Sequence, residues 1–158
     1  MSSTTQPRPR ILKTKRTFHI VASQFNTRYV QGLVDHAEKE LRVLAPNATI
    51  SIQRVPGAFE IPVVVRELAS REKVNAIIAC GVILKGKTDH AQNLSRSVTE
   101  ALQRIAVDHT VPVINAVLSF DDEIQAGERC LENKINRGTE AARAAVEIAS
   151  VMSDLRRK

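Results

Sequence analysis

The chain has little of what a stapled or membrane-bound protein needs. Its 158 residues include only two cysteines, Cys80 and Cys130, and neither has a Cys or His partner at metal-ligand spacing. A disulfide-rich module and a structural zinc site are both disfavoured. Tryptophan is absent and aromatics make up 3% of the residues, which leaves few platforms for stacking bases. No apolar run approaches the roughly 20 residues of a membrane span, and the N-terminus lacks the apolar stretch of a signal peptide. What is present, 43% hydrophobic and 25% charged residues, suits one soluble cytoplasmic domain without membrane association. A chain of this length can bury about two-thirds of its unfolded surface without a staple.

The net charge of +6 suggests nucleic acid until its distribution is read. Residues 1–16 hold Arg8, Arg10, Lys13, Lys15 and Arg16 and no acid, and the chain closes on Arg156, Arg157 and Lys158. The body between these tails carries 15 basic and 17 acidic side chains. A near-neutral body with few aromatics argues against nucleic-acid binding by the folded part. The tails read as solvated arms that can still meet an anionic partner.

Segment 1–16, polar, basic and broken by Pro7 and Pro9, cannot pack a core and reads as a flexible arm. From Thr17 to Lys158 strands and helices alternate as a single domain. Phe18 to Ala22 forms a short strand, and Val30, Leu33, Val34, Ala37, Leu41 and Leu44 then mark one face of a helix stopped by Pro46. Thr49 to Val55 alternates as a half-buried strand, and Pro62 opens a second helix with an apolar stripe from Ile61 to Ala69. Ala76 to Leu84 is the near-continuous apolar run of a central parallel strand. A helix over His90–Asp108, a strand over Val111–Leu118 opened by Pro112, a helix to about Glu132 capped by Asp121 or Asp122, and an alanine-rich helix over about Arg137–Ser153 complete the pattern. This order predicts an α/β domain, a three-layer α/β/α sandwich around a four-stranded, mainly parallel sheet.

Ligands of such sheets bind beyond the carboxyl ends of the strands. Four segments converge there: Gln24–Asn26, Val55–Glu60, Lys85–His90 and Ser119–Asp122. Phe25 can stack on a flat heterocycle, and Asn26 can pair with its polar atoms, or the two can serve as a hydrophobic staple and helix cap. Gly57, Ala58 and Phe59 form a strand-to-helix turn that brings a ligand close to backbone N–H groups, while Glu60 accepts from hydroxyls or stabilises the helix N-terminus. Gly86, Lys87 and Thr88 offer amides, an ammonium and a hydroxyl to an anion. His90 carries an imidazole, the side chain suited to moving protons near neutral pH. Gly81-x4-Gly86-Lys87-Thr88 also satisfies the nucleoside-triphosphate loop pattern, although Gly81 lies inside the apolar run. ATP or GTP binding stays open as the lesser alternative. Arg129 and Arg137 can each present a planar fork to phosphate or remain surface charges.

Taken in order, Phe25-Asn26, Pro56-Gly57-Ala58-Phe59-Glu60-Ile61-Pro62, Gly86-Lys87-Thr88-Asp89-His90, Glu128-Arg129 and Asn136-Arg137-Gly138-Thr139-Glu140-Ala141-Ala142 resemble the lumazine synthase family. The likeness runs from about Phe18 to the end. It implies a flavodoxin-like fold and a cofactor-independent transferase of riboflavin biosynthesis that uses no metal. The implied substrates are 5-amino-6-ribitylaminouracil and 3,4-dihydroxy-2-butanone 4-phosphate, joined to 6,7-dimethyl-8-ribityllumazine with loss of phosphate and water. By the same resemblance, Phe25 stacks on the pyrimidine, Asn26 and the backbone around Ile83 and Leu84 orient polar atoms, and Ala58 and Glu60 hold the ribityl chain. Lys87, Thr88 and Arg129 bind phosphate, and His90 transfers protons. Asn115 stands where many members place an aromatic, Arg137 where many carry Lys, and Lys87 where several have a small residue. A homopentamer is implied, with Phe25, Glu60 and His90 from one chain and Asn115, Arg129 and Arg137 from the next. The arm could add an edge strand to a neighbour through Ile11-Leu12, and an isolated pentamer is expected over a decamer or a 60-subunit shell. A non-catalytic flavin- or lumazine-binding protein on this fold would need neither His90 nor Arg129.

Overall fold

Four strands and five helices make up the body in the computed structural model, which describes residues 3–71 and 73–158. The strands are β1 (Thr17–Ser23), β2 (Thr49–Val55), β3 (Ala76–Leu84) and β4 (Val113–Phe120). The helices are α1 (Thr27–Leu44), α2 (Ile61–Ala69), α3 (His90–His109), α4 (Glu123–Cys130) and α5 (Arg137–Arg157), with a 3-10 turn at Ala58–Glu60 ahead of α2. All strand pairs are parallel and the sheet order is β2-β1-β3-β4. This is the expected α/β sandwich, consistent with a flavodoxin-like fold. Its apolar strand β3 is central and buried at every residue but Leu84.

Alternation along the strands divides the core. Phe18, Ile20, Ala22, Ile78, Cys80, Ala116 and Phe120 pack with α1, α4 and α5 on one face. Val21, Ile77, Ala79, Ile83 and Val117 pack with α2 and α3 on the other. The first face is close-fitted at two glycines. A Cβ on Gly32 of α1 would lie 2.4 Å from the Cys130 carbonyl oxygen, and one on Gly138 of α5 would lie 2.2 Å from that of Leu33. Only a residue without a side chain permits such approach of backbone to backbone.

Several boundaries differ from the sequence reading. β4 begins at Val113, not Val111, because Val111 N–H closes α3 on Ala106 O and Pro112, which has no N–H, contributes only its carbonyl to Ile77. Helix α4 stops at Cys130 and α5 continues to Arg157, where basic residues in the last turn favour its carbonyl end. Asp122 is the α4 cap, accepting from Gln125 N–H at 2.8 Å, while Asp121 binds the Lys85 ammonium at 2.6 Å.

The described part of the arm has no helix or strand but is anchored to its own chain. Leu12 N–H donates to Leu44 O at 2.7 Å and Asn47 Nδ2 donates to Lys13 O at 2.6 Å. Glu40, 4% exposed, takes Arg8 on one carboxylate oxygen and Arg143 on the other, both at 2.8 Å. Arg143 also donates to Gln6 O.

Candidate active site

The parallel sheet delivers the ends of β1 and β3 to one place, where they open a cavity of about 300 Å³. Phe25, Asn26, Gly57, Ala58, Phe59, Glu60, Ile83, Leu84 and His90 all line it. The loop after β1 is fixed by Gln24 N–H to Val55 O and Phe25 N–H to Pro56 O, which ties it to the turn after β2. Phe25 is 74% exposed and Phe59 is 70% exposed, so neither ring acts as a staple. Asn26 occupies the α1 N-cap position in the left-handed region, φ 60°, yet its side chain makes no cap. Its Nδ2 instead donates to Val82 O at 2.7 Å, locking the β1 loop to the end of β3. Asn tolerates this backbone better than most residues.

After β3 the chain turns through Lys85–Asp89 into α3, whose first residue is His90, exposed at the cavity rim. Thr88 lines an adjoining cavity of about 580 Å³ together with Gly86, Arg96 and Ser119. Its hydroxyl accepts weakly from His90 N–H at 3.4 Å. Lys87 is exposed on this turn and lines neither cavity. Gly81 pairs with Val117 inside unbroken β3, and a Cβ there would meet Val117, Ser23 and Ile61 side chains at 3.2–3.4 Å. The nucleoside-triphosphate loop is therefore ruled out: its first glycine would have to begin a turn, and here it is packed in a strand.

Asn115, Arg129 and Arg137 line none of this cavity. Asn115 is exposed on β4, donating to Thr99 Oγ1 at 3.3 Å and accepting from Val117 N–H at 3.0 Å. Arg129 lies in the last turn of α4, and its Nε is buried without a hydrogen-bond partner among the described residues. Arg137 opens α5 and is ion-paired with Glu140, both side chains largely buried. Between the arginines sits Asn136, which the sequence reading placed in a motif without giving it a role. Its Oδ1 accepts from Gly138 and Thr139 N–H, and its Nδ2 donates to Cys130 O and Glu132 O, each at 3.0 Å. This buried amide sets the spacing of α4 and α5. Ser23, Val82, Ala91 and Leu94 also line the cavity and were missed as site residues. For Ser23 and Val82 the available signal was strand register; for Ala91 and Leu94 it was helical spacing from His90.

Neither thiol is suited to chemistry, since burial pushes Cys80 and Cys130 up to about 12. No group of His, Cys, Asp and Glu among the described residues is arranged to hold a metal. No helix among them is long and apolar enough to cross a membrane.

The family model described as 6,7-dimethyl-8-ribityllumazine synthase matches residues 15–153. The chain belongs to this family. A lumazine synthase of Aquifex aeolicus (strain VF5) is 37% identical over 140 residues, covering 88% of this chain and 91% of its own. One from Azoarcus sp. (strain BH72) is 36% identical over 137 residues, 86% of this chain and 85% of its own. Both the cavity and the α4–α5 connection fall within the region shared with the lumazine synthase family. Most of the basic arm and the last five residues fall outside it.

Proposed function

We propose that the chain is a 6,7-dimethyl-8-ribityllumazine synthase of riboflavin biosynthesis, a transferase that joins 5-amino-6-ribitylaminouracil to 3,4-dihydroxy-2-butanone 4-phosphate without a cofactor. Family membership supports the activity, and the cavity that collects Phe25, Asn26, Glu60 and His90 at the strand ends supports the roles. Phe25 stacks on the pyrimidine, which is why its ring is left uncovered. Asn26 and the backbone of Ile83 and Leu84 orient the ring's polar atoms. The turn Gly57-Ala58-Phe59 and the Glu60 carboxylate hold the ribityl chain. Thr88, Lys87 and Arg129 bind the phosphate.

In the reaction the substrate's own amine attacks the ketone and loses water to form an imine. His90 moves the proton that accompanies loss of phosphate, and ring closure expels water. The nucleophile is a substrate nitrogen, so two inert cysteines are no obstacle. Most of the acceleration comes from holding two reactants together in one orientation.

The proposal extends to a cytoplasmic, ring-shaped homopentamer whose sites are shared between neighbours. Asn115, Arg129 and Arg137 then complete the cavity of the adjacent chain. In support, the cavity is open beside Phe25 and Phe59, and buried Arg129 Nε and Glu140 Oε1 have no hydrogen-bond partner among the described residues. Free, buried Cys80 and Cys130 suit a reducing compartment.

Mixing the protein with both substrates and following lumazine absorbance and fluorescence, with and without EDTA, tests the reaction. Product should form equally in both; none above the uncatalysed background overturns the assignment. Co-refolding inactive Phe25→Ala with inactive Arg129→Ala chains tests the shared site. Mixed rings should recover part of the activity, and no recovery in verified mixed rings refutes sharing.

A further inference from the structure

At the opposite end of the sheet, before β1 begins, the arm and the C-terminal end of α5 enclose a second cavity of about 580 Å³. Arg10, Lys13, Arg16 and Arg157 line it, and the one carboxylate there, Asp154, is already paired with Arg157. We propose that this cavity is a binding site for a small phosphorylated anion, separate from the strand-end cavity and independent of the reading of that cavity.

Repulsion among these cations points to an anion. Gathering four cations around one space opposes folding unless something offsets it. The carbonyl end of α5 accounts for Arg157, since helix C-termini favour cations. It does not account for Arg10 and Lys13, which the docked arm carries in. That docking is enforced elsewhere, by Glu40 gripping Arg8 and Arg143, by Leu12 N–H on Leu44 O, and by Asn47 on Lys13 O. Arg10 and Lys13 are therefore held at the cavity by contacts that do not neutralise them.

An unmade hydrogen bond points the same way. Arg16 donates to Ser153 Oγ at 3.1 Å and to Lys15 O at 3.3 Å, but its buried Nε has no hydrogen-bond partner among the described residues. A buried guanidinium N–H left unpaired is destabilising, and a small rotation of the Arg16 side chain, which lines the cavity, would bring Nε to an anion bound there. Three guanidiniums and an ammonium suit a phosphate group, which takes planar forks and a point charge at once, better than a single carboxylate. Ile11 and Leu12 add apolar wall, so the space suits inorganic phosphates and phosphates with an organic body alike. Arg10, Lys13 and Arg157 lie outside residues 15–153, so the activity shared with the family does not explain them.

Calorimetric titration of the full chain at low salt, with pyrophosphate and with ADP, tests the site. Binding should be seen and should fall steeply with added chloride. Arg10→Gln, a substitution in the exposed arm, should weaken it roughly ten-fold while leaving lumazine formation unchanged. Arg16→Gln should do at least as much, with its thermal midpoint and circular dichroism measured alongside to confirm folding. The phosphate-binding residue of the proposed active site serves as control: Arg129→Ala should leave this binding intact. Tighter binding of ADP identifies a ligand with an organic body, and equal or tighter binding of pyrophosphate identifies an inorganic one. No binding to either probe, or binding lost in Arg129→Ala and unchanged in Arg10→Gln, overturns the proposal. So does a single-stranded oligonucleotide that displaces pyrophosphate at lower concentration and binds several protein molecules per strand.

Discussion

Around the ends of β1 and β3 the side chains facing the cavity are left uncovered, whereas at the α4–α5 connection the backbone is clamped before any ligand arrives. Phe25 and Phe59 stand in solvent and His90 sits at an exposed rim. Across the molecule, Asn136 makes four hydrogen bonds to backbone between Cys130 and Thr139, and Gly32 and Gly138 let α1 touch the backbone on either side of it. The contrast follows from what each region has to do. In the proposed function a flat substrate covers Phe25 and its neighbours, which then need only the right position and an empty face. Under the proposed sharing of sites, Arg129 and Arg137 act on another chain's substrate, and the clamped scaffold beneath them fixes their positions.

The sharpest way to break this contrast is at Gly138. Gly138→Ala drives a methyl to 2.2 Å from Leu33 O, and overpacking against backbone should destabilise by about 3 kcal/mol or more. Urea unfolding reads this as a lower midpoint at unchanged slope; the same methyl at Gly127, with nothing within 4 Å, should do little. Next, His90→Ala on the open side should cut turnover about 10²-fold while leaving the fold intact. Steady-state kinetics should show the loss in kcat. Arg129→Ala should instead raise the KM for the phosphorylated substrate, because a charge-assisted contact contributes roughly 1.5–3 kcal/mol. An unchanged KM would remove Arg129 from the phosphate site.

Asn136→Ala joins the two effects. It removes a helix cap and leaves Cys130 O without its Asn donor, a loss of about 2 kcal/mol in unfolding experiments. If the amide positions the arginines, kcat/KM should fall as well, although Asn136 touches no substrate. The smallest effect concerns His19 on β1, whose pKa is lowered by burial first and by Arg71 second. A depressed histidine is neutral in the native state, so the unfolded chain takes up the proton first. Stability should hold above about pH 6.5 and decline as pH falls below it, levelling off once the native residue also protonates. His19→Asn should flatten that decline in thermal unfolding followed against pH.

Much of the open region was legible because its signals are local. Phe25, Gly57 and His90 each stand where a strand pattern gives way to a helix pattern, and in a parallel sheet those places share one edge. The apolar run around Gly81 weighed against a phosphate loop but left it open, and only its pairing with Val117 inside β3 excluded it. The clamped region was less legible, because its logic is long-range. Nothing near Gly138 in sequence announces that Leu33 O lies against it, and the side-chain bonds of Asn136 depend on how α4 ends. Asn26 read first as a helix cap and only second as a ligand contact. Its actual partner, Val82 O, lies 56 residues away and depends on β1 lying beside β3. Pro112 misled by two residues because a proline fits both the first position of a strand and the residue before it.

The strand order has a consequence for the chain as it leaves the ribosome. β1 can pair with β2 as soon as both exist, and β3 then adds to the other side of β1. From that moment until Phe120 has been made, β3 presents one unpaired edge of an almost wholly apolar strand, and α5 has not yet been made to cover its face. Exposed apolar edges of this kind are templates for pairing between molecules. The interval between the emergence of residue 84 and that of residue 120 from the ribosome is therefore when this protein is most exposed to aggregation. A pause there should lower the soluble yield more than a pause of equal length after α4 has been made.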